Sequence, residues 1–418
     1  MIAIMDCNNF YVSCERSFNP GLENRPVIVL SNNDGCVIAR SNEAKDIGVK
    51  MGTPYHEINE LIDSAQIQVF SSNYVLYGDM SSRVMAILAR FVETIEVYSI
   101  DEAFLDLSRE PDPEAFCRNL RETISQWTRI PVSFGIAPTK TLAKVANKLA
   151  KKDPSTGGVL ALRHADQIRD ALMAFPIGDL WGIGYRFESM LKRNEIKTAW
   201  ELSQTDEDWI NERMTVNGLR LVYELRGIPV KLLELEPAKK KNICVAPSFG
   251  VGVPDLARLR MALATYLARA SEKLRKQESA ATSITVFVHT NRFKKNAKHY
   301  YNSRTVILPH PSSSNTELLK YASAALDEIF QFGYEYQKLG IFLNDLVPDD
   351  HRQINLFTEL PDEKLAALSK AVDGINRQFG RDKVRLAAQG YDRTWPMKQK
   401  WLSRCYTTRW KDILVTKG

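Results

Sequence analysis

The order of elements predicted over residues 243–346 constrains the fold of this chain more than any other feature of the sequence. Apolar residues there switch between strand and helix spacing. They indicate, in order, a strand, a long helix (254–277), a strand (283–290), a strand (304–308), a helix (315–331) and a strand (338–344). This β-α-β-β-α-β order is that of a split βαβ unit. We therefore expect residues 243–346 to form an α+β domain, preceded by a Pro- and Lys-containing linker at 237–242.

Strands and helices also alternate in the first 164 residues, which predicts a second α+β sheet. An apolar strand over residues 2–6 ends at Asp6, and Asp101-Glu102 is expected at the turn between two strands. Apolar runs on either side of Asn32-Asn33-Asp34-Gly35 predict a hairpin. The remaining predicted elements are helices over 42–47, 74–94, 114–127 and 141–152 and a strand over 132–137, followed by short helices over 165–235.

Composition excludes several classes of protein. The 418 residues, 44% hydrophobic and 25% charged, are typical of a multidomain globular protein. A net charge of +6 is too small to identify a nucleic-acid partner by itself. The six cysteines include no close C-x-x-C pair, which disfavours a zinc module or a disulfide framework and favours a reducing cytoplasm. Without a basic leader or a run of about 18 apolar residues, we expect a soluble cytoplasmic protein with no membrane partner.

Three carboxylates are candidates for a metal site. Asp6 ends the first strand, and Asp101 and Glu102 occupy a predicted turn. Strand ends and turns lie at the rim of a sheet, where three carboxylates would repel one another unless a cation lay between them. Oxygen ligands of this kind suit Mg²⁺. Taken separately, however, such residues are more often ordinary strand-end or turn carboxylates than metal ligands.

Three sequence blocks give these carboxylates a context. They are Asp6-Cys7-Asn8-Asn9-Phe10-Tyr11, Ser99-Ile100-Asp101-Glu102-Ala103, and Gly135-Ile136-Ala137-x-Thr139-Lys140-x-Leu142-Ala143-Lys144. In this order they resemble the signature blocks of Y-family DNA polymerases, and the resemblance extends over essentially the whole chain. The segments Ser31–Cys36 and Ser71–Tyr74 resemble the UmuC group of that family in particular.

The resemblance implies an α+β multidomain fold, a right-hand polymerase with short fingers. The implied domains are a palm (1–21 and 74–164), fingers (22–73), a helical thumb with a helix-hairpin-helix (165–236), the linker, a little finger (243–346) and a C-terminal tail (347–418). It also implies two Mg²⁺ ions in the active site. Asp6 and Asp101 would bridge both ions, Glu102 would hold the one nearer the primer terminus, and the backbone carbonyl of Cys7 would complete the other.

Further residues are implied to bind the nucleotide. Tyr11 stands at the position of the steric gate, where a ring under the sugar excludes a 2′-hydroxyl, and Lys151 matches the triphosphate lysine. Many members carry a tyrosine and an arginine in the fingers, but the matching residues here are Asn42 and Lys45. Arg40 could supply the missing guanidinium or could be a surface arginine. The predicted nucleotide-binding residues are Phe10, Tyr11, Arg40, Asn42, Lys45 and Lys151.

Glycines and basic residues are the candidates for holding DNA. Gly182 and Gly184 lie in a segment that resembles a helix-hairpin-helix, in which backbone N–H groups can approach a phosphate. Two basic clusters would contact the template-primer backbone, although a solvated linker or surface would have the same composition. Their members are Lys239, Lys240, Lys241, Arg292, Lys294 and Lys295.

Two features of the tail point to partners. Gln353, Leu356 and Phe357 lie in a segment that resembles the peptide by which bacterial DNA-acting proteins bind the sliding clamp. The stripe of Trp395, Trp401 and Trp410 has no assigned chemistry. It is expected to pack on a partner or on the chain itself.

The function implied by the resemblance is error-prone, DNA-directed DNA synthesis past template damage in the SOS response, without proofreading. The implied partners are template-primer DNA, deoxynucleoside triphosphates, a processed UmuD dimer, RecA and the sliding clamp, and an active enzyme would associate with the nucleoid. Two alternatives remain at this point. An inactive DNA-binding scaffold would not extend a primer, and a palm-fold nucleotidyl cyclase would not require a template.

Overall fold

The computed structural model describes residues 1–236, 238–294, 297–350, 363–391, 393 and 395–415. The chain forms two compact units. One comprises Met1–Ser31, Gly35–Pro237 and Lys400–Gly418, and the other comprises Asn32–Asp34 and Ala238–Gln399.

The first unit contains two sheets and most of the short helices. Its described strands are β1 (Ile2–Cys7), β2 (Val27–Leu30), β3 (Val37–Arg40), β4 (Gln68–Ser71), β5 (Ile95–Val97), β6 (Glu102–Asp106), β7 (Val132–Ala137) and β8 (Val159–Ala161). Its described helices are α1 (Phe10–Phe18), α2 (Asn42–Asp46), α3 (Asn59–Ser64), α4 (Tyr74–Phe91), α5 (Pro113–Thr128), α6 (Lys140–Lys152), α7 (Ala165–Met173), α8 (Tyr185–Arg193), α9 (Ala199–Ser203) and α10 (Glu207–Leu225).

The larger sheet has the order β5-β6-β1-β7-β8. Strand β1 is central and pairs antiparallel with both β6 and β7. Successive residues of β1 face opposite sides of the sheet. Met5 accordingly packs with residues of α4 and α5, whereas Ile4 packs with residues of α6 and the helices that follow. Helices therefore cover both faces of the sheet, and its rim remains as the place where side chains can meet a ligand.

Helix α6 lies unusually close to this sheet. A Cβ atom at Gly135 of β7 would lie 2.1 Å from the carbonyl oxygen of Ala143 and 2.2 Å from the backbone nitrogen of Asn147. Only glycine allows this approach. Thr139 caps the helix by accepting a hydrogen bond from the backbone N–H of Leu142. The start and the depth of α6, which carries the site lysines described below, are thus both determined by local contacts.

The predicted hairpin is confirmed within a smaller sheet of order β3-β2-β4. Strands β2 and β3 are antiparallel, with Ile28 opposite Arg40, and β4 adds in parallel on the other side of β2. Strand β4 was not predicted. It has only four residues, which is too short for a periodic signal.

The described residues of the second unit form one sheet, two helices that pack against it and a further C-terminal helix. Its described elements are β9 (Ile243–Val245), β10 (Ser248–Val253), α11 (Leu256–Lys276), β11 (Ser279–Thr290), β12 (Tyr301–Ser312), α12 (Asn315–Ile329), β13 (Tyr336–Pro348) and α13 (Glu363–Phe379). The sheet order is β10-β13-β11-β12, with β9 also paired to β13. The predicted β-α-β-β-α-β order is confirmed, except that its first strand is divided into β9 and β10.

Glu102 is the first residue of β6 rather than part of the preceding turn. Trp395 is buried in the core of the second unit, whereas Trp410 is 92% exposed. Among the described residues, no helix combines the length and the apolar composition needed to cross a membrane.

Candidate active site

The pairing of β1 with β6 brings the predicted carboxylates to one rim of the larger sheet. Asp6 lies directly opposite Glu102 in the β1–β6 ladder. The backbone N–H of Cys7 donates to the carbonyl oxygen of Asp101 over 2.9 Å, which holds the start of β6 against the end of β1. Since directly opposed residues have neighbouring side chains, Asp6 and Glu102 share this rim.

Two lysines of α6 neutralise these carboxylates. The Lys151 ammonium lies 2.5 Å from Asp6 Oδ1. The Lys144 ammonium lies 3.0 Å and 2.9 Å from the two oxygens of Glu102. The two lysines are seven residues apart, about two helical turns, so both side chains project from the same face of α6. Lys144 ends the third quoted block but was not predicted as a site residue.

Asp101 has a different partner. The Ser99 hydroxyl donates to Asp101 Oδ1 over 2.6 Å, and the Ser99 hydroxyl oxygen accepts from the backbone N–H of Glu102 over 3.1 Å. Ser99 therefore orients both acidic residues. It was not predicted as a site residue, although it belongs to the quoted Ser-Ile-Asp-Glu-Ala block.

The surroundings of Asp6 make its carboxylate harder to ionise. Burial raises the pKa of Asp6 to about 6, against the opposing effect of Lys151, and Glu102 and Asp101 add to the increase. A cleft of about 380 Å³ lies beside this group and is lined by Asp6, Glu102, Lys144 and Lys151 among others. The site thus combines repelling carboxylates with ammonium groups in one cleft.

The donor set of this rim fits a hard divalent cation. Among the residues that the structure describes, no three His, Cys, Asp or Glu side chains converge as a ready-made metal cage. The available donors are nonetheless carboxylate oxygens, and Mg²⁺ takes only a few of these together with substrate phosphates. The Cys7 thiol faces the core, 3.9 Å from Met5 Sδ, and burial raises its pKa. A ligand role for Cys7 would therefore have to use its peptide oxygen.

A second polar group joins α2 to the start of α1. The Lys45 ammonium donates to Asn9 Oδ1 over 2.8 Å and to Asn42 Oδ1 over 2.9 Å, and the Asn9 amide donates to Asn42 Oδ1 over 3.1 Å. Asn9 was quoted in the first block but not predicted as a contact. Burial lowers the pKa of Lys45, and the nearby positive charges of Arg40 and Lys151 lower it further.

The positive charges of Arg40 and Lys151 both act on the Lys45 ammonium. Like charges held together in this way favour a polyanion. Arg40 is partly engaged, since its guanidinium donates to the carbonyl oxygen of Val49. Asn42 and Lys45 are therefore in direct contact, and Arg40 and Lys151 are near enough to lower the pKa of Lys45.

Tyr11 and Phe10 have different environments. Phe10 is 4% exposed and belongs to the core. Tyr11 is half-buried, and its ring stacks on Tyr77 with centroids 4.4 Å apart and an interplanar angle of 15°. The edge of Tyr74 meets the same ring at 6.3 Å. Aromatic neighbours thus define the position of the Tyr11 ring, whereas Phe10 is available only for packing.

The predicted helix-hairpin-helix glycines are open to solvent. Gly182 has a φ of 92°, in the region that favours glycine, and Gly184 immediately precedes α8. A Cβ atom at either position would meet nothing within 4 Å. The neighbouring Trp181 is held by its Nε1–H, which donates to the Tyr98 hydroxyl over 3.3 Å. The backbone of this turn is therefore accessible.

The basic residues of the second unit are mostly exposed. Lys239, Lys240 and Lys241 are exposed, and the backbone of Lys240 is hydrogen-bonded to the Gln277 side chain. Arg292 lies over the Phe293 ring at 4.8 Å, and Lys294 pairs with Glu335 at 3.0 Å. Lys295 lies outside the described residues, as do the predicted clamp-binding residues Gln353, Leu356 and Phe357.

Three models of known protein families match this chain. The impB/mucB/samB family matches residues 5–148, and the C-terminal domain of the same family matches residues 240–356. A domain of unknown function matches residues 366–415. The first match contains Asp6, Asp101, Glu102 and Lys45, and the second contains Arg292 and Lys294.

Individual proteins agree with this assignment. The chain is 42% identical to UmuC of Salmonella typhimurium over 100% of both sequences. It is 26% identical to DNA polymerase IV 1 of Bacillus subtilis over 92% of both. A solved Y-family DNA polymerase chimera of Dbh and Dpo4 shares the fold, with a TM-score of 0.66 and 22% identity, covering 83% of this chain and all of that one. The chain therefore belongs to the impB/mucB/samB family, within the Y family of DNA-directed DNA polymerases.

Proposed function

We propose that this protein copies damaged DNA in the SOS response, as an error-prone translesion polymerase that uses two Mg²⁺ ions and does not proofread. The observation that carries the proposal is the strand register that places Asp6 opposite Glu102, with Asp101 adjacent. Full-length similarity to UmuC supports the translesion and SOS assignments.

In this proposal the three carboxylates bind the metal ions that act on the primer and the nucleotide. Asp6, Asp101 and Glu102 would bind the two ions, with the peptide oxygen of Cys7 as a further ligand. When bound, the ions would activate the primer 3′-hydroxyl and stabilise the leaving pyrophosphate. In the structure Lys144 and Lys151 form ion pairs with Glu102 and Asp6. These ion pairs would break when the carboxylates bind the ions, and the Lys151 ammonium would then contact the triphosphate.

The cationic group would position the incoming nucleotide. Lys45 and Lys151 supply point charges that suit a flexible triphosphate, while Asn42 and Arg40 add donors. Tyr11 would lie under the sugar and exclude the 2′-hydroxyl of a ribonucleotide. The backbone N–H groups of Gly182 and Gly184 would bind phosphates of the DNA backbone. The exposed ammonium groups of Lys239–Lys241 would also bind phosphates, and neither kind of contact would depend on the base sequence.

The wider assignments rest on the family. We propose that the protein acts in the cytoplasm, at the nucleoid, with a processed UmuD dimer, RecA and the sliding clamp as partners. The peptide containing Gln353, Leu356 and Phe357 would bind the clamp.

Primer extension past an abasic template site tests the proposal. The full chain would be assayed with Mg²⁺, alone and with processed UmuD and activated RecA, beside Asp101→Ala. Asp106→Ala is the matched control, because Asp106 lies at the opposite end of strand β6 and pairs with Ile2. We expect extension in wild type and Asp106→Ala, and none in Asp101→Ala.

Other outcomes would favour the alternatives. DNA binding without extension under every condition would support an inactive scaffold. Nucleotide turnover without a template would support a cyclase. Equal activity of Asp101→Ala and wild type would refute the metal site.

A further inference from the structure

A short segment near the C-terminus, residues 401–406, packs against β4, the start of α4, and α1, the helix that carries Tyr11. We call it the strap. The backbone N–H of Ser71, at the end of β4, donates to the carbonyl oxygen of Trp401 over 3.0 Å, and the two segments form a parallel bridge there. The Trp401 ring lies 4.8 Å from the ring of Tyr55. The strap therefore extends the pairing of the smaller sheet and is anchored by an aromatic contact.

The strap is then attached to the start of α4. The Asn73 side-chain amide donates to the carbonyl oxygens of Ser403 and Arg404, each over 3.2 Å, and to the Ser403 hydroxyl over 3.0 Å. Asn73 is 2% exposed and also caps α4, because its Oδ1 accepts from the backbone N–H of Leu76. One buried residue thus joins the strap to the helix that carries Tyr77.

Ser403 continues this connection into the core. Its hydroxyl donates to Glu15 Oε1 over 2.8 Å, and the Tyr77 hydroxyl donates to the same carboxylate oxygen over 2.7 Å. Glu15 belongs to α1, the helix that begins at Phe10, and is 2% exposed. At the other end of α1, Phe18 stacks on Tyr406 of the strap with centroids 4.9 Å apart. The strap therefore contacts α1 at two points about one turn apart.

We propose that the strap is a positioning element for sugar selection, in which Ser403 and Glu15 hold Tyr77 and the Tyr77 ring fixes Tyr11. Each link has a direct contact, ending in the 4.4 Å stacking of Tyr77 on Tyr11. A stacked ring transmits position because a closely packed neighbour cannot move without displacing it. This inference rests on the proposed steric role of Tyr11. It gives the C-terminal domain of unknown function a part in choosing the nucleotide.

The measurement is single-nucleotide insertion opposite template dG by the full chain, under the conditions that support primer extension. It compares kcat/KM for dCTP with kcat/KM for CTP. Ser403→Ala and Tyr77→Phe each remove one hydroxyl that binds Glu15. We expect either to reduce the discrimination against CTP about fivefold, the effect of losing one hydrogen bond, with dCTP insertion changed less than twofold. Ser403→Thr should retain the discrimination of wild type, because threonine keeps the hydroxyl. Trp410→Ala changes a residue of the same tail that is 92% exposed, and it should leave the discrimination unchanged.

A double-mutant cycle separates positioning from general destabilisation. If Ser403 acts through Tyr11, then Ser403→Ala should have no further effect on discrimination in a Tyr11→Ala background. Equal effects of Ser403→Ala in both backgrounds would overturn the proposal. So would unchanged discrimination in Ser403→Ala and Tyr77→Phe while Tyr11→Ala loses it.

The failure of the underlying function has a different signature. If Tyr11→Ala itself keeps full discrimination, then the steric role of Tyr11 is wrong, and the inference fails with it. A readout independent of activity is hydrogen exchange of α1 in the full chain. We expect Ser403→Ala to accelerate exchange there several-fold relative to Trp410→Ala, and equal exchange in the two variants would overturn the proposal.

Discussion

Glu15 offers a quantitative test of the buried network beneath Tyr11. Burial raises its pKa from 4.5 to about 7, against the opposing effect of the hydrogen bonds from Tyr77 and Ser403. The folded protein therefore keeps a proton at Glu15 that the unfolded chain releases near pH 4.5. Stability from this group is fully present below pH 4.5 and is lost as the pH rises through about 7. Glu15→Gln removes this dependence, because glutamine is neutral at every pH.

The magnitude follows from linkage between ionisation and folding. Since one pKa unit corresponds to about 1.4 kcal/mol, the rise from 4.5 to about 7 corresponds to about 3 kcal/mol. Most of this, about 2–3 kcal/mol, falls between pH 5 and pH 8. We expect the free energy of unfolding of Glu15→Gln, relative to wild type, to rise by this amount over that interval.

The assay is urea unfolding at pH 5, 6, 7 and 8, followed by hydrogen exchange of peptides from α1 and α4. A local probe is needed because a chain of two units need not unfold in one transition. Glu43→Gln is a control whose pH dependence lies outside this interval. Burial alone would raise the pKa of Glu43, but hydrogen bonds from Ser41 and Arg16 lower it overall. Stability from a lowered pKa is lost only as the pH falls below 4.5, so the free energy of unfolding of this variant should run nearly parallel to that of wild type between pH 5 and pH 8. Parallel pH profiles for Glu15→Gln and wild type would refute the reasoning.

Three further predictions concern ligand binding and the turn at Gly182. Lys45→Ala or Lys151→Ala should raise KM for a deoxynucleoside triphosphate about tenfold, with a smaller change in kcat, since each removes a charged group that binds phosphate. An unchanged KM in steady-state kinetics would contradict this. Gly182→Ala should lower the free energy of unfolding by about 1 kcal/mol, because φ is 92° at that residue. Gly184→Ala should lower it by less in the same urea titration, and a larger loss for Gly184→Ala than for Gly182→Ala would be inconsistent with the structure. Replacing Lys239–Lys241 by alanine should flatten the dependence of log DNA affinity on log salt by about one unit of slope for each phosphate that is no longer neutralised, and an unchanged slope would show that these lysines do not bind DNA.

Local patterns in the sequence were sufficient for most of the elements. Apolar spacing predicted β1 and both long helices of the second unit, and the turn-rich Asn32–Gly35 segment predicted the hairpin, because these signals depend only on near neighbours. The order of three short blocks indicated the family. Strands β4 and β8 were not predicted. They have four and three residues and pair in parallel with distant strands, so neither period nor turn marks them.

The partners of the site residues were decided by the tertiary structure. Lys144 and Glu102 are 42 residues apart, and Ser403 and Glu15 are 388 apart. Nothing in the sequence near either residue of these pairs indicates the other. Their contact depends on the register of β1 with β6, the depth of α6 against Gly135, and the return of the tail to the first unit. A shift of one residue in that register would turn Asp6 to the other face. The sequence by itself therefore determined which chemical groups are present, and only the packing of distant segments decided which of them meet.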